Sequence, residues 1–172
     1  MGRGGPKTDT RDDRPLAKQL LTEYRTQFFR HCIAMPHSRS LLHHLRAQGI
    51  HTFLITNGET PFQQKNAASI GVLPLLDVVL VSEQEGRKKP DPALFLKAAY
   101  RLQVPPETCL FFGDHPHNDI HGAAAVGMKT AWLQNHADWP NDLPPPDWTL
   151  QRLGDLFTIM RGYSSVSALH NP

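Results

Sequence analysis

The feature that most restricts the fold of this 172-residue chain is a unit that recurs along it: a short apolar run, a polar or glycine turn, then a helical pattern. "HTFLITNG" gives the first run, ending at Thr56-Asn57-Gly58, and "DVVLVSE" the second, ending at Ser82-Glu83. "CLFFGD" is the third, ending at Gly113-Asp114, and "KTAWL" the fourth. Short continuous runs of β-branched and aromatic residues read as strands buried on both faces. Alternating with helices, they predict an α/β fold, a Rossmann-like parallel sheet covered by helices. Ligands of such sheets bind outside the carboxyl ends of the strands. Thr56, Asn57, Ser82, Glu83 and Asp114 all stand there.

The helices carry their own punctuation. Leu16, Leu20, Leu21, Tyr24 and Phe28 recur at helical spacing, which predicts a helix to about Arg30. Ser38 or Ser40 is placed to cap a helix carrying Leu41, Leu42 and Leu45, with Gly49 closing it. A helix over about 61–70 opens with Pro61 and ends at Gly71. Asp91 caps the next, with Pro92 in its first position, and "NDIHGAAAVG" is a helix between the third and fourth strands. "WPNDLPPPDW" reads as a connector, and "TLQRLGDLFTIM" as one last short strand or helix. Residues 1–15 read as a disordered lead-in and 161–172 as a flexible tail.

Composition narrows the function classes. Hydrophobic residues make up 40% and charged residues 20% of the chain, and no apolar run approaches the ~18–20 residues of a membrane span. With no secretory leader, a soluble, cytoplasmic protein without a membrane partner is expected. The net charge of +2 comes from dispersed Lys and Arg, so no nucleic-acid partner is expected. Cys32 and Cys109 fit no metal spacing and read as buried thiols of a reducing compartment.

Three groups then converge on one chemistry. The Thr56 hydroxyl and the amides at Asn57 and Gly58 can donate to phosphate oxygens, and Lys88 or Lys89 adds positive charge. Asp114 and Asp119 offer carboxylates to Mg²⁺. Taken alone, Asp114 could simply cap the following helix and Asp119 suit its first turn. Thr56 could merely close a strand turn. The occurrence of all three groups at strand ends favours the ligand reading. His117 and His121, spaced i and i+4, would suit zinc on a helix, but no further ligand accompanies them. His115 and His117 lie in a loop beside the site. Cys109, Trp132, Trp139 and Trp148 read as packing residues.

In order and context, these stretches resemble the haloacid dehalogenase (HAD) superfamily of hydrolases, in the subclass with a helical cap inserted after the first strand. The match runs from about residue 35 to 133. "FLITNG" resembles the second family motif, with Thr56 as the phosphate-binding hydroxyl. "SEQEGRKKPDPALF" resembles the third, which makes Lys89 the phosphate-binding lysine. "FFGDHPHNDIHGA" resembles the fourth, with Asp114 as Mg²⁺ ligand and Asp119 supporting the site. The resemblance implies a Mg²⁺-dependent phosphatase that hydrolyses a small phosphorylated metabolite through an aspartyl-phosphate. The "GD" of the fourth motif favours a phosphatase over a dehalogenase.

One family element has no counterpart. Members begin with a strand ending in D-x-D, which supplies the nucleophile and the general acid, and no D-x-D occurs anywhere in this sequence. The helix over 16–34 resembles a remnant of the cap, and 35–160 an α/β core lacking its first strand. The expectation is therefore an N-terminally truncated hydrolase, impaired as it stands. The alternative is a non-catalytic relative that binds phosphate, metal or a protein. By the same resemblance the absent strand is central, between those ending at Thr56 and Gly113, so a gap is expected there, with unpaired backbone on both sides. A response-regulator receiver uses similar groups, but in a different order along the chain.

Overall fold

The computed structural model describes residues 14–135 and 138–160. The expected lead-in, apart from Arg14 and Pro15, and the expected tail lie outside them. Helix α1 (Arg14–Gln27) continues into a 3-10 turn at Phe28–His31. Then follow α2 (Ser38–Ala47), β1 (Phe53–Thr56), α3 (Thr60–Ser69), β2 (Val78–Val81) and the short α4 (Ser82–Glu85). Next come α5 (Pro92–Leu102), β3 (Leu110–Gly113), a π-helical turn at Pro116–His121, and α6 (Gly122–Ala124). The described chain closes with β4 (Lys129–Leu133), β5 (Trp148–Leu150), a 3-10 turn at Leu153–Asp155 and helical residues 156–160.

All observed strand pairs are parallel, as the continuous apolar runs require, but among the described residues they form two separate sheets. β1 pairs with β2 alone, from Phe53 opposite Val78 to Thr56 opposite Val81. β3 pairs with β4, and β4 with β5. Between the facing edges of β1 and β3 is a cavity of about 750 Å³. The gap expected between the strands ending at Thr56 and Gly113 is thus present.

Two apolar clusters cover the sheets. The first packs α5 against β1, β2 and β3 through Leu94, Phe95, Ile55, Leu80 and Phe111. The second packs α2 and the 153–156 segment against β4 and β5 through Leu41, Leu153, Leu156, Leu133 and Leu150. Phe53 and Phe111 touch across the divide in the first cluster, with ring centroids 5.8 Å apart.

Most helix punctuation behaves as read. Asp91 accepts the Ala93 N–H at 2.9 Å, and Gly49 and Gly71 take left-handed φ values of 71° and 73° at helix ends. Neither Ser38 nor Ser40 caps α2. The N-cap is His37, in a left-handed conformation, and the Ser40 hydroxyl donates back to the His37 carbonyl at 3.0 Å. Local side-chain to backbone bonding of this kind competes with capping. The "NDIHGAAAVG" helix is split between the π-helical turn, which takes in Asn118 to His121, and α6 over Gly122–Ala124. The terminal segment supplies both a strand and helical turns.

Two carboxylates pin the starts of strands. Asp77 accepts the Thr52 N–H at 2.7 Å, and that bond holds its carboxyl below the usual value. Asp147 accepts the N–H of buried Thr130 at 2.9 Å and its hydroxyl at 3.1 Å. Burial works to raise the Asp147 carboxyl, but its hydrogen bonds to Thr130 and Lys129 outweigh that and leave it lowered. Carboxyls lowered on folding lend stability that is complete above about pH 4 and is lost as pH falls through the folded values. Asp147→Ala should cost about 1–3 kcal/mol at pH 7 by leaving Thr130 unsatisfied. It should also flatten the loss of stability between pH 5 and pH 2 in urea titrations, whereas an unchanged acid profile would contradict this role.

Candidate active site

Of the predicted residues, Thr56, Lys89, Asp114 and Asp119 line the carboxyl end of the cavity together with Gly113, whereas Asn57 and Gly58 do not line it. Lys89 is the piece that joins them. The Asn57 side chain grips its backbone twice: Oδ1 accepts the Lys89 N–H at 2.8 Å, and Nδ2 donates to its carbonyl at 3.0 Å. The Lys89 ammonium in turn lies 2.5 Å from Asp119 Oδ1. Side-chain exposures of 12% and 7% make this a desolvated pair, unlike the solvated pairs of the surface. Nζ also lies over the Phe111 ring, 5.7 Å from its centroid. Lys88, by contrast, is exposed.

Asp119 reaches Lys89 because of the π-helical turn and Gly113. Its other oxygen accepts the His115 N–H at 3.1 Å, folding the turn back onto the end of β3. A Cβ built on Gly113 would sit 2.5 Å from Asp119 Cβ, so only glycine admits the carboxylate here. On the other side, a Cβ on Gly122 would sit 2.7 Å from the Phe95 ring and 3.1 Å from Pro90 Cα. That closeness seats the segment carrying Lys89 against the start of α6.

Asp114 stands at the rim, exposed to solvent. Its Oδ2 accepts from Asn135 Nδ2 at 3.1 Å, and its carbonyl accepts from Trp132 Nε1 at 3.0 Å. The Thr56 hydroxyl is engaged by none of the described residues and lines the cavity. The Gly58 N–H donates to Ser82 Oγ at 2.8 Å, and Glu83 accepts the Thr60 N–H at 2.8 Å. Ser82 and Glu83 therefore tie the end of β2 to the turn after β1. His115 Nδ1 accepts the Asn118 N–H at 3.3 Å and caps the π-helical turn. Among the described residues no three His, Cys, Asp or Glu side chains cluster as a metal cage. Cys109 is buried, and burial pushes its thiol up, as in an inert packing cysteine.

The model of the haloacid dehalogenase-like hydrolases matches residues 5–127. The chain belongs to that family. It is 34% identical over 111 residues to the glyceraldehyde 3-phosphate phosphatase of Pyrococcus furiosus, covering 64% of this chain and 46% of that protein. It is 32% identical over 127 residues to the phosphoglycolate phosphatase of Escherichia coli K12, covering 73% and 50%. The solved HAD-hydrolase YfnB of Bacillus subtilis, described as bound to magnesium, superposes with a TM-score of 0.73 at 26% identity, covering 84% and 62%. This HAD-like chain spans about half the length of the curated relatives it matches.

Three supporting contacts go beyond the sequence reading. The sequence marks Asn57 only as part of a phosphate turn, although its side chain clamps Lys89; nothing local marks a contact 32 residues away. Asn135 lies just past β4 and was legible by the same strand-end rule that found Asp114. Trp132 reads in sequence only as packing.

Gly113→Ala should displace Asp119 and cost about 1–3 kcal/mol through overpacking. In NMR spectra, Asp119→Asn should move the Lys89 side-chain signals in the parent and leave them unmoved in this variant. Equal effects in both backgrounds would mean that Gly113 does not seat the pair.

Proposed function

We propose that this HAD-like chain carries the phosphate- and Mg²⁺-binding part of a phosphatase for small phosphomonoesters, and that the aspartate to be phosphorylated lies outside its 172 residues. The observation that carries the reading is the part-buried Lys89, fixed by Asn57 and Asp119 in a cavity that Thr56 and Asp114 also line. Thr56 donates its hydroxyl to one phosphoryl oxygen, and Lys89 sets its ammonium against the negative charge of the group. Asp119 acts as a positioning residue that holds the ammonium in place. Through Asn57 the turn after β1 and the Lys89 segment move as one unit, which keeps the two donors in register.

The donor set fits Mg²⁺. That ion takes one or two carboxylates and completes an octahedron with water and substrate oxygens, so a lone rim carboxylate such as Asp114 suits it where a closed zinc cage would not. When bound, Mg²⁺ would neutralise phosphoryl charge during transfer. Asp114 would hold it, with Asn135 orienting the carboxylate. Names of relatives such as the glyceraldehyde 3-phosphate and phosphoglycolate phosphatases support a small phosphorylated metabolite as substrate. The half-exposed Leu16, Leu20 and Tyr24 of α1 suit a cap remnant whose packing partners are elsewhere. A soluble, cytoplasmic setting accords with this substrate class, and no described helix is long and apolar enough to cross a membrane.

Because the sequence holds no D-x-D, the second reading is a chain that binds phosphate without turnover. Calorimetric titration with orthophosphate, with and without Mg²⁺, tests the shared core of both. Lys89→Ala should weaken binding at least tenfold, and Asp114→Asn should remove the Mg²⁺ enhancement. Equal affinity in all three proteins would sink the proposal. Hydrolysis of p-nitrophenyl phosphate by the chain alone should stay at background, and Mg²⁺-dependent turnover lost in Asp114→Asn would place the nucleophile within these residues.

A further inference from the structure

Trp132 and Trp139 read in the sequence as packing residues, and the structure joins them to the rim carboxylate. Ala131 and Leu133 pack into the α2 cluster, so Trp132 between them faces the other side of its sheet. In the ladder it stands opposite Gly113, which brings its indole alongside the next residue, Asp114. There the buried Trp132 donates Nε1–H to the Asp114 carbonyl at 3.0 Å. Trp139, from the connection between β4 and β5, meets the Trp132 ring edge to face, with centroids 5.0 Å apart and planes at 69°. Its own Nε1–H donates to the Leu143 carbonyl at 3.2 Å.

The Trp132 bond falls on a peptide unit that is also held at its other end. The carbonyl of the Asp114–His115 peptide accepts from Trp132, and its N–H donates to Asp119 Oδ2 at 3.1 Å. A planar unit gripped on both sides cannot swing about the chain axis, so the direction in which the Asp114 side chain leaves the backbone is fixed. Asn135 then holds Oδ2 at 3.1 Å, and Oδ1 takes no hydrogen bond from any described residue. The second oxygen of Asp119 lies on the Lys89 ammonium. One peptide plane therefore sets both the carboxylate and the ammonium. A buried indole that only packs needs some acceptor for its N–H. Here the acceptor is the backbone of the one carboxylate left open at the rim.

We infer that Trp132 is a positioning residue for the cation site: its indole N–H holds the Asp114 backbone so that Oδ1 stays presented to Mg²⁺, and Trp139 holds the indole at that angle. The inference rests on the reading that Asp114 holds Mg²⁺. Groups that orient a metal ligand commonly set affinity by about 10–100-fold. Trp132, Asn135 and Trp139 all lie beyond the segment 5–127 that matches the family model. The β4–β5 connection thereby acts on the cation through Asp114 without touching it.

The test titrates Mg²⁺ into the full chain, labelled with ¹⁵N at its tryptophans, in the presence of orthophosphate. The Trp132 indole signal should move and saturate with the Kd that calorimetry gives for Mg²⁺. Trp148, which packs in the α2 cluster on the other face, should stay still. Trp132→Phe keeps a ring and removes the N–H, and should raise the Mg²⁺ Kd about tenfold. Its orthophosphate affinity without Mg²⁺ should stay within about twofold of the parent, which a general loss of structure would not allow. Trp139→Leu should raise the Mg²⁺ Kd at least threefold, and Trp139→Phe, which restores a ring against Trp132, should bring it back. Equal Mg²⁺ affinity in the parent and Trp132→Phe, or equal loss of phosphate affinity with and without Mg²⁺, would overturn the inference and leave the Mg²⁺ reading of Asp114 standing. A parent that binds no Mg²⁺ would overturn both. Should Trp132→Phe fail to melt cooperatively, the parent indole signal and the Trp139 pair decide. A still Trp132 signal, or Trp139→Leu with parental affinity, would then overturn the inference.

Discussion

The Lys89–Asp119 pair, with Asp119 buried and Lys89 part-buried, is the constraint on which the site depends. Each charge is costly to bury alone, and together they are tolerated because their remaining hydrogen-bonding groups are met. Asp119 takes the ammonium on one oxygen and the His115 amide on the other. The Lys89 backbone is held on both sides by Asn57. The result is a polar bridge from the end of β1 to the end of β3, across two sheets that share no ladder among the described residues. Removing either partner leaves an uncompensated buried charge and severs that bridge.

The rest of the architecture follows from what lies beneath it. Apolar contacts such as Phe53 on Phe111 hold the sheets together on the α5 side, while the space between the β1 and β3 edges stays open. Backbone groups facing such a space are the costly kind to leave unmade. The charge of Lys89, the hydroxyl of Thr56 and the carboxylate of Asp114 therefore meet at one end of this open space.

Much of this was legible in the sequence because it depends on local rules. Continuous apolar runs gave parallel strands, Asp91-Pro92 and Gly49 marked helix ends, and the strand-end rule located Thr56 and Asp114. The resemblance selected Lys89 over Lys88; Lys89 is part-buried beside Asp119, and Lys88 is exposed. What escaped depends on contacts between distant segments. The grip of Asn57 on Lys89 and the support of Asp114 by Trp132 and Asn135 have no periodic signature. The helix read after β3 became a π-helical turn because Asp119 is drawn back onto Gly113, a tertiary demand that outweighs helical propensity. Ser38 and Ser40 looked like caps by residue type alone.

The most direct measurement is an orthophosphate titration of the isotopically labelled chain with Mg²⁺, followed residue by residue by NMR. The account predicts coupled shifts at Thr56, Asn57, Lys89 and Asp114, saturating with one dissociation constant across both sheets. Shifts limited to one sheet, or scattered over exposed lysines and arginines with no common saturation, would contradict it.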